Sequence, residues 1–318
     1  MANWGMTARK LWARWRLWLV SAVVAIIVLG WALAPAARGY ELLANSANRS
    51  APSHSAAGFP VKDVTFNATD GVKLSGWLAV VSPKSPTIIL VHGFKSTRLS
   101  MVPWARYLYG AGYNVLLYDS RGCGASAGWG IGLGATEPND IIGAVHFLQS
   151  DSGLTSKKFG VLGVSLGAGD AILAAAREPA LLAVVADSPW ADEQPQLDRM
   201  SSVTRGPLTI PLLPYEPALV NTLTGANLAN VSPAQAAAQL NGRALFIITA
   251  ADDANATTAP ADQARIYAAA AQPKQQWIIP HGGHVGALFT DPTDYEQRTL
   301  SFFAQYIGLP GNAVQAGA

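Results

Sequence analysis

Charge is scarce in this chain. Lys, Arg, Asp and Glu supply 13% of its 318 residues and nearly cancel, leaving a formal net charge of +2. A polyanion needs a basic face, and no such stock of cations exists here, so nucleic acid is not an expected partner. Cysteine is almost missing. Cys123 stands alone, which excludes an intramolecular disulfide and a cysteine-built metal cluster, and leaves the redox compartment open. Apolar residues, by contrast, make up 50% of the chain, enough for one large buried core plus an appendage. No internal repeat is visible.

Charge disappears altogether between Leu17 and Ala37, where the run LWLVSAVVAIIVLGWALA occurs. That is about the length a helix needs to cross the hydrocarbon core. Arg9, Lys10, Arg14 and Arg16 precede it, and Trp12, Trp15, Trp18 and Trp31 lie near its two ends, the pattern of a span with cytoplasmic N-terminus and interfacial indoles. The alternative is a signal peptide cleaved after Ala32-Leu33-Ala34. Pro35 directly after that site, and the length of the run, favour a retained anchor. Residues 1–16 then form a basic cytoplasmic tail, 17–37 a single-pass anchor, and 38–60, rich in Ala, Ser and Asn, a linker to an extracytoplasmic domain.

The segment 61–310 reads as that domain, with 311–318 a flexible tail. Alternation in Asp63–Thr69 and Val72–Val81 around Asp70-Gly71 predicts a hairpin. Short apolar runs follow at Thr87–Val91, Tyr113–Tyr118, Lys158–Val164, Leu182–Ala186, Ala244–Thr249 and Gln276–Ile279. Such runs fit strands buried on both faces of a parallel sheet. Helical stretches at Pro138–Gln149, Leu166–Arg177, Ala261–Ala271 and Asp294–Ile307 separate several of them and would lie on both faces. The result is an α/β fold with an eight-stranded, mostly parallel sheet, whose site is expected at the carboxyl ends of the strands.

Two stretches there match Gly-x-Ser-x-Gly, at Ser165 and at Ser126. Context separates them. Ser165 follows the strand run KFGVLGV and opens the helical run LGAGDAILAAAREP, the strand-turn-helix setting that holds a serine in a strained, exposed bend. Ser126 sits inside the Gly-rich loop SRGCGASAGWGIGLG, where a structural role is expected. A serine hydroxyl needs a base to take its proton, and in this setting the acid and then the base follow it along the chain. Of the five histidines only His281 and His284 come after Ser165; His284, at the far end of the turn PHGGH, is the expected base and His281 a structural neighbour. The carboxylate that orients the imidazole is expected after Ala244–Thr249. Asp253 is the choice, Asp252 its rival and Asp187 a weaker third. Backbone N–H groups of Leu166 and Phe94 are the expected oxyanion donors. His92 precedes Ser165 and is expected to be buried and structural.

The motifs VHGFKS, YDSRGCGASAG, GVSLGAG, ITAADDAN and HGGHVG, in this order, resemble those of the alpha/beta-hydrolase superfamily, and within it membrane-anchored esterase-like members related to prolyl-oligopeptidase-like serine hydrolases. The resemblance runs from about Phe59 to Ile307. Two positions depart from it: Ala250 stands where glycine is common and Cys123 where histidine is common. It also implies a cap after the sixth strand. Residues 190–232 could supply one, and RGPLTIPLLPYEPALV within them is Pro-rich and apolar, hence expected to be irregular; it could line an acyl pocket or simply pack as a loop.

The resulting expectation is a serine hydrolase cleaving a carboxylic ester, with a small-molecule ester or acyl substrate, through an acyl-enzyme, without metal or organic cofactor. Thioester and amide substrates use the same machinery, so peptidase and thioesterase remain alternatives. A non-catalytic, membrane-displayed binding protein of the same fold is the rival of another class. Oligomeric state is not legible.

Overall fold

The computed structural model describes residues 4–44, 51–150, 152–200, 202–205, 208–211 and 215–309; the expected tail 311–318 lies outside them. In chain order the helices are α1 (Trp4–Leu43), α2 (Val102–Gly110), α3 (Glu137–Ser150), α4 (Leu166–Arg177), α5 (Glu193–Met200), α6 (Glu216–Thr224), α7 (Pro233–Ala237), α8 (Pro260–Ala269), α9 (Ala287–Thr290) and α10 (Pro292–Ile307). The strands are β1 (Lys62–Asn67), β2 (Lys73–Ala79), β3 (Thr87–Val91), β4 (Asn114–Asp119), β5 (Phe159–Val164), β6 (Leu181–Asp187), β7 (Ser202–Arg205), β8 (Leu208–Pro211), β9 (Ala244–Ala250) and β10 (Lys274–Ile279). Two compact units emerge, residues 1–42 with 197–223, and 43–196 with 224–318.

The larger unit is built on one eight-stranded sheet in the order β1-β2-β4-β3-β5-β6-β9-β10. Strands β1, β2 and β4 pair antiparallel, and every pair from β4 through β10 is parallel. This is the alpha/beta-hydrolase arrangement. Every residue of β3, β4, β5 and β9 is buried, because helices cover both faces. The period of two along each strand sorts the side chains. Ile89, Val91, Leu116 and Val161 pack with α3, α4, α7 and α8, while Ile88, Leu90, Val115, Leu117 and Leu162 pack with α2 and α10. Burying each such side chain contributes roughly 1.5–3 kcal/mol before the chain's lost entropy is counted.

Helix α2 is absent from the sequence reading. Its nine residues place Trp104, Ala105 and Leu108 against the sheet behind Pro103 in the first turn, too short a stripe for its period to stand out.

In the smaller unit α1 runs without a break from Trp4 to Leu43. The expected boundaries at 16 and 37 are therefore not structural breaks, and the first part of the expected linker, from Arg38 to Leu43, is helix. Pro35 lies inside it and removes one backbone donor, yet the good helix formers around it carry the helix on. Residues 12–43 are long and apolar enough to cross a membrane, and the most apolar window has 0% of its residues buried. The Pro-rich stretch expected to be irregular is ordered in part. Strand β7 pairs antiparallel with β8, Val203 opposite Ile210 and Thr204 opposite Thr209, since β-branched residues suit a pleated ribbon, and α6 follows. Trp31 meets Tyr215 edge-on at 5.6 Å, and Arg38 lies 3.9 Å from the Glu216 carboxylate.

Candidate active site

Ser165 stands between β5 and α4 with φ 55° and ψ −119°, a backbone state that costs a non-glycine residue of order 1–3 kcal/mol. The neighbours make it possible. A Cβ on Gly163 would fall 2.1 Å from the Gly167 carbonyl, and one on Gly167 2.5 Å from the His92 carbonyl, so this bend admits only glycine at both places. The Ser165 N–H is held by the Asp187 carbonyl at 2.9 Å. Trp190 Nε1 donates to the Leu166 carbonyl at 3.1 Å, fixing the first turn of α4.

His284 comes from the loop after β10 and Asp253 from the loop after β9. Ser165 Oγ lies 2.8 Å from His284 Nε2, and His284 Nδ1 lies 2.9 Å from Asp253 Oδ2. A carboxylate only accepts, so Nδ1 carries the proton and Nε2 is left to accept from the serine. Asp253 is buried. Its other oxygen accepts the Asn255 N–H at 2.9 Å, and Thr258 Oγ1 donates to Oδ2 at 3.3 Å while lying 3.0 Å from His284 Nδ1. The sequence reading missed Thr258; it lies five residues past Asp253, and only the intervening turn brings it back.

Asp252, the rival acid, points elsewhere. It accepts the Gly283 N–H at 2.8 Å, and this bond holds its carboxyl below the usual range; His281 Nδ1 stands 3.6 Å from its other oxygen. The pair fastens the histidine loop to the acid loop without touching Ser165 or His284. Asp187, the third candidate, is buried at the end of β6, where it accepts from the Tyr295 hydroxyl at 2.9 Å and the Ser188 hydroxyl at 3.1 Å. Burial pushes its pKa up to about 6, against the pull of those two hydrogen bonds. Ser188 in turn accepts the Val285 N–H at 3.2 Å, so Asp187 braces the histidine loop from below.

Ser126 is also buried. It donates to the Asp119 carbonyl at 2.5 Å and accepts the Ser75 N–H at 2.9 Å, tying the Gly-rich loop to the β2–β4 pair beside the buried Arg98–Asp119 ion pair at 2.7 Å. His92 is buried too. Its Nδ1 donates to the Gly93 carbonyl at 2.8 Å and its Nε2 accepts the Ser120 N–H at 3.0 Å, a pattern that requires the neutral ring; burial lowers its pKa accordingly.

A pocket of about 580 Å³ opens at Ser165 and His284. Phe94, Trp104, Val164, Val285 and Phe289 give it apolar walls, and Ser96, Ser100 and Asn255 polar points. Among the described residues no Asp, Glu, Lys or Arg lines it. Phe94 lies just past β3 on its rim, and Leu166 is the first residue of α4. Among the described residues no group of three or more His, Cys, Asp or Glu is placed to hold a metal ion.

Comparison with known proteins agrees with this fold. A thiohydrolase of Aspergillus aculeatus is 33% identical over 118 residues, 36% of this chain and 36% of that protein. A polyketide transferase of a Penicillium species is 30% identical over 159 residues, 46% of this chain and 51% of that protein. The chain thus matches a third to a half of these relatives' lengths. An esterase of Pyrococcus furiosus superposes with a TM-score of 0.67 at 24% identity, over 83% of this chain and 100% of that one, which shows a shared fold. The family model of the X-Pro dipeptidyl-peptidases (S15 family) matches residues 43–282. With three quarters of its length inside that match, the chain belongs to the X-Pro dipeptidyl-peptidase (S15) family of alpha/beta hydrolases.

Proposed function

We propose that this hydrolase cleaves carboxylic esters with Ser165 as nucleophile, His284 as base and Asp253 as orienting acid. The observation that carries the reading is the continuous relay from Ser165 Oγ through both His284 nitrogens to Asp253, at 2.8 and 2.9 Å. His284 Nε2 takes the Ser165 proton as Oγ bonds to the ester carbonyl carbon. Phe94 and Leu166 N–H groups hold the oxyanion. As that intermediate collapses, the alkoxide leaves with the proton from Nε2. Water then gives a proton to Nε2 and attacks the acyl-enzyme, releasing the acid and restoring Ser165.

The lining supports an ester over a peptide amine terminus. A dipeptidyl-peptidase must bind an α-ammonium group, which a buried or half-buried pocket holds best with a carboxylate, and among the described residues no acidic side chain lines this one. A thioester is the second reading, favoured by the likeness to the thiohydrolase over 118 residues. Helix α1 is read as a retained anchor with its N-terminus cytoplasmic, given the basic residues before the uncharged run and none within it. Residues 61–310 are the proposed catalytic domain outside the membrane.

Purified full-length protein tests the reading with a matched ester, thioester and dipeptidyl amide sharing one acyl group. Turnover of the ester that vanishes in Ser165→Ala supports it. Cleavage of the dipeptidyl amide alone would overturn the substrate assignment, and absence of fluorophosphonate labelling on folded protein would overturn the nucleophile.

A further inference from the structure

Backbone strain gathers where the loop carrying His284 meets the end of β6. Val285 has φ 57° and Ser188 φ 55°, the left-handed region that a β-branched valine avoids in particular. Strain of this kind persists in non-glycine residues only where the surroundings over-determine it. The two strained residues are joined, since the Ser188 hydroxyl accepts the Val285 N–H at 3.2 Å. Ser188 is anchored in turn by its own N–H, which donates to the Ile248 carbonyl in β9 at 3.0 Å.

Behind Ser188 the hydrogen bonds can run in one order only. Its hydroxyl donates to Asp187 Oδ1 at 3.1 Å, and Asp187 Oδ2 receives the Tyr295 hydroxyl at 2.9 Å. Tyr295, fully buried in α10, accepts from Trp104 Nε1 at 2.8 Å. An indole nitrogen only donates and a carboxylate only accepts. Burial raises the Tyr295 phenol well above its ordinary 10 and lifts Asp187 only to about 6, so at neutral pH the phenol keeps its proton and Asp187 is the acceptor. The chain from Trp104 through Tyr295, Asp187 and Ser188 to Val285 therefore ties α2, α10 and β6 to the histidine loop. Its two ends, Trp104 and Val285, both wall the pocket beside His284.

His284 is gripped on both sides in the sequence. The Gly283 N–H is held by Asp252 at 2.8 Å, and the Val285 N–H by Ser188. Around them the loop closes tightly, for a Cβ on Gly286 would fall 1.7 Å from the Gly282 carbonyl. A loop this closed has little freedom to turn the imidazole while both N–H groups are held.

We infer that Tyr295 and Ser188 are positioning residues for the proposed hydrolysis: working through Asp187 and the Val285 N–H, they keep His284 Nε2 aimed at Ser165. The inference rests on reading His284 as the base. Because Trp104 forms part of the pocket wall and donates into the same chain, wall and base are set by one hydrogen-bond network, and a hydroxyl lost from it is felt at the reacting atoms.

Full-length protein and one carboxylic ester test this, with kcat expressed per serine titrated by a fluorophosphonate so that unfolded molecules do not count. Ser188→Gly removes the hydroxyl, while glycine adopts φ 55° without strain. The expected result is a fall in kcat of about ten- to a hundredfold, with KM within about twofold of wild type and a melting temperature close to that of wild type. Tyr295→Phe keeps the ring and should lower kcat about tenfold with the same KM pattern. Either variant decides the matter if the other fails to fold. A kcat per site equal to wild type in a folded variant, or a rise in KM alone, would overturn the inference. Ser165→Ala tells this apart from failure of the triad itself. If ester turnover survives in Ser165→Ala, the triad reading falls and the inference with it; if turnover is abolished there while Ser188→Gly and Tyr295→Phe stay fully active, only the positioning chain falls.

Discussion

The Thr258 hydroxyl lies 3.0 Å from His284 Nδ1, the ring nitrogen turned away from Ser165. It also donates to Asp253 Oδ2 at 3.3 Å, closing a triangle around the Nδ1 proton. Hydrogen bonds to charged groups contribute about 1.5–3 kcal/mol, and part of this one is felt only when the imidazole becomes charged during attack. Thr258→Val should lower kcat about tenfold or more with KM nearly unchanged, and Thr258→Ser should restore most of it. Steady-state kinetics on one ester reads both; a change in KM alone would show that Thr258 merely shapes the pocket.

Asp253 and Asp252 are adjacent in sequence but do different work. Asp253→Asn should cost about 10⁴-fold in kcat, because an amide cannot hold the Nδ1 tautomer as a carboxylate does. Asp252→Asn weakens the bond to the Gly283 N–H and should cost about tenfold or less, with lower thermal stability, since an amide oxygen can still accept. Reversal of that ranking would move the acid to Asp252.

The two Gly-x-Ser-x-Gly serines should separate cleanly. Ser165→Ala should abolish fluorophosphonate labelling. Ser126→Ala should keep it while losing about 1–3 kcal/mol of stability, the cost of leaving the Ser75 N–H without its acceptor. Chemical denaturation of both variants, beside labelling, reads the two effects.

Gly93 packs against Ser165 and directly precedes Phe94, the proposed oxyanion donor. A Cβ there would lie 3.3 Å from Ser165 Cβ and 3.5 Å from the Val164 carbonyl, so the turn must shift to admit it. Gly93→Ala should therefore reduce kcat by about a hundredfold, the scale of a lost oxyanion donor. Unchanged kcat would place the second donor elsewhere.

Two buried groups bear on stability against pH with opposite signs. His92 titrates lower in the folded protein than its ordinary 6.5, so the stability it contributes is present above about 6.5 and is lost as pH falls through the folded value. Asp187, raised from 3.8 to about 6, binds its proton more readily in the folded state, so stability from this group increases as pH falls from about 6 towards 3.8. Thermal melts between pH 4 and 7 should show Asp187→Asn losing stability on acidification more steeply than wild type, and His92→Gln less steeply.

Sequence pattern located the sheet well because a strand buried on both faces must be apolar along its whole length; each run at β3, β5 and β9 begins and ends within a residue of its strand. The start of α4 was legible for a different reason. Glycines on either side of Ser165 are needed by the bend itself, so they mark its place in the chain. Loop chemistry carried less information. Nothing in a lone threonine tells that Thr258 folds back on Asp253, and nothing in the pair Asp252-Asp253 tells which carboxylate turns inward; both follow from the turn at Asn255. The hairpin of β7 and β8 was hidden by its prolines, which mark edges and ends as well as irregular chain. Boundaries of the N-terminal helix were hidden because charge and composition change at residues 16 and 38 while helical backbone does not.

Strand β6 lies between the strands that carry Ser165 and Asp253, yet its own contribution ends at Ser188, whose hydroxyl receives the Val285 N–H. The chain then departs and re-enters the sheet only at Ala244. Because both attachment points are locked into neighbouring strands by parallel pairing, and Trp190 and α7 stay packed near the two ends, the part of the excursion between Trp190 and α7 could change in length or character without moving the three side chains of the proposed triad. Evolution of new preferences, or laboratory grafting, has a ready insertion point there, upstream and downstream of a chemistry it need not disturb.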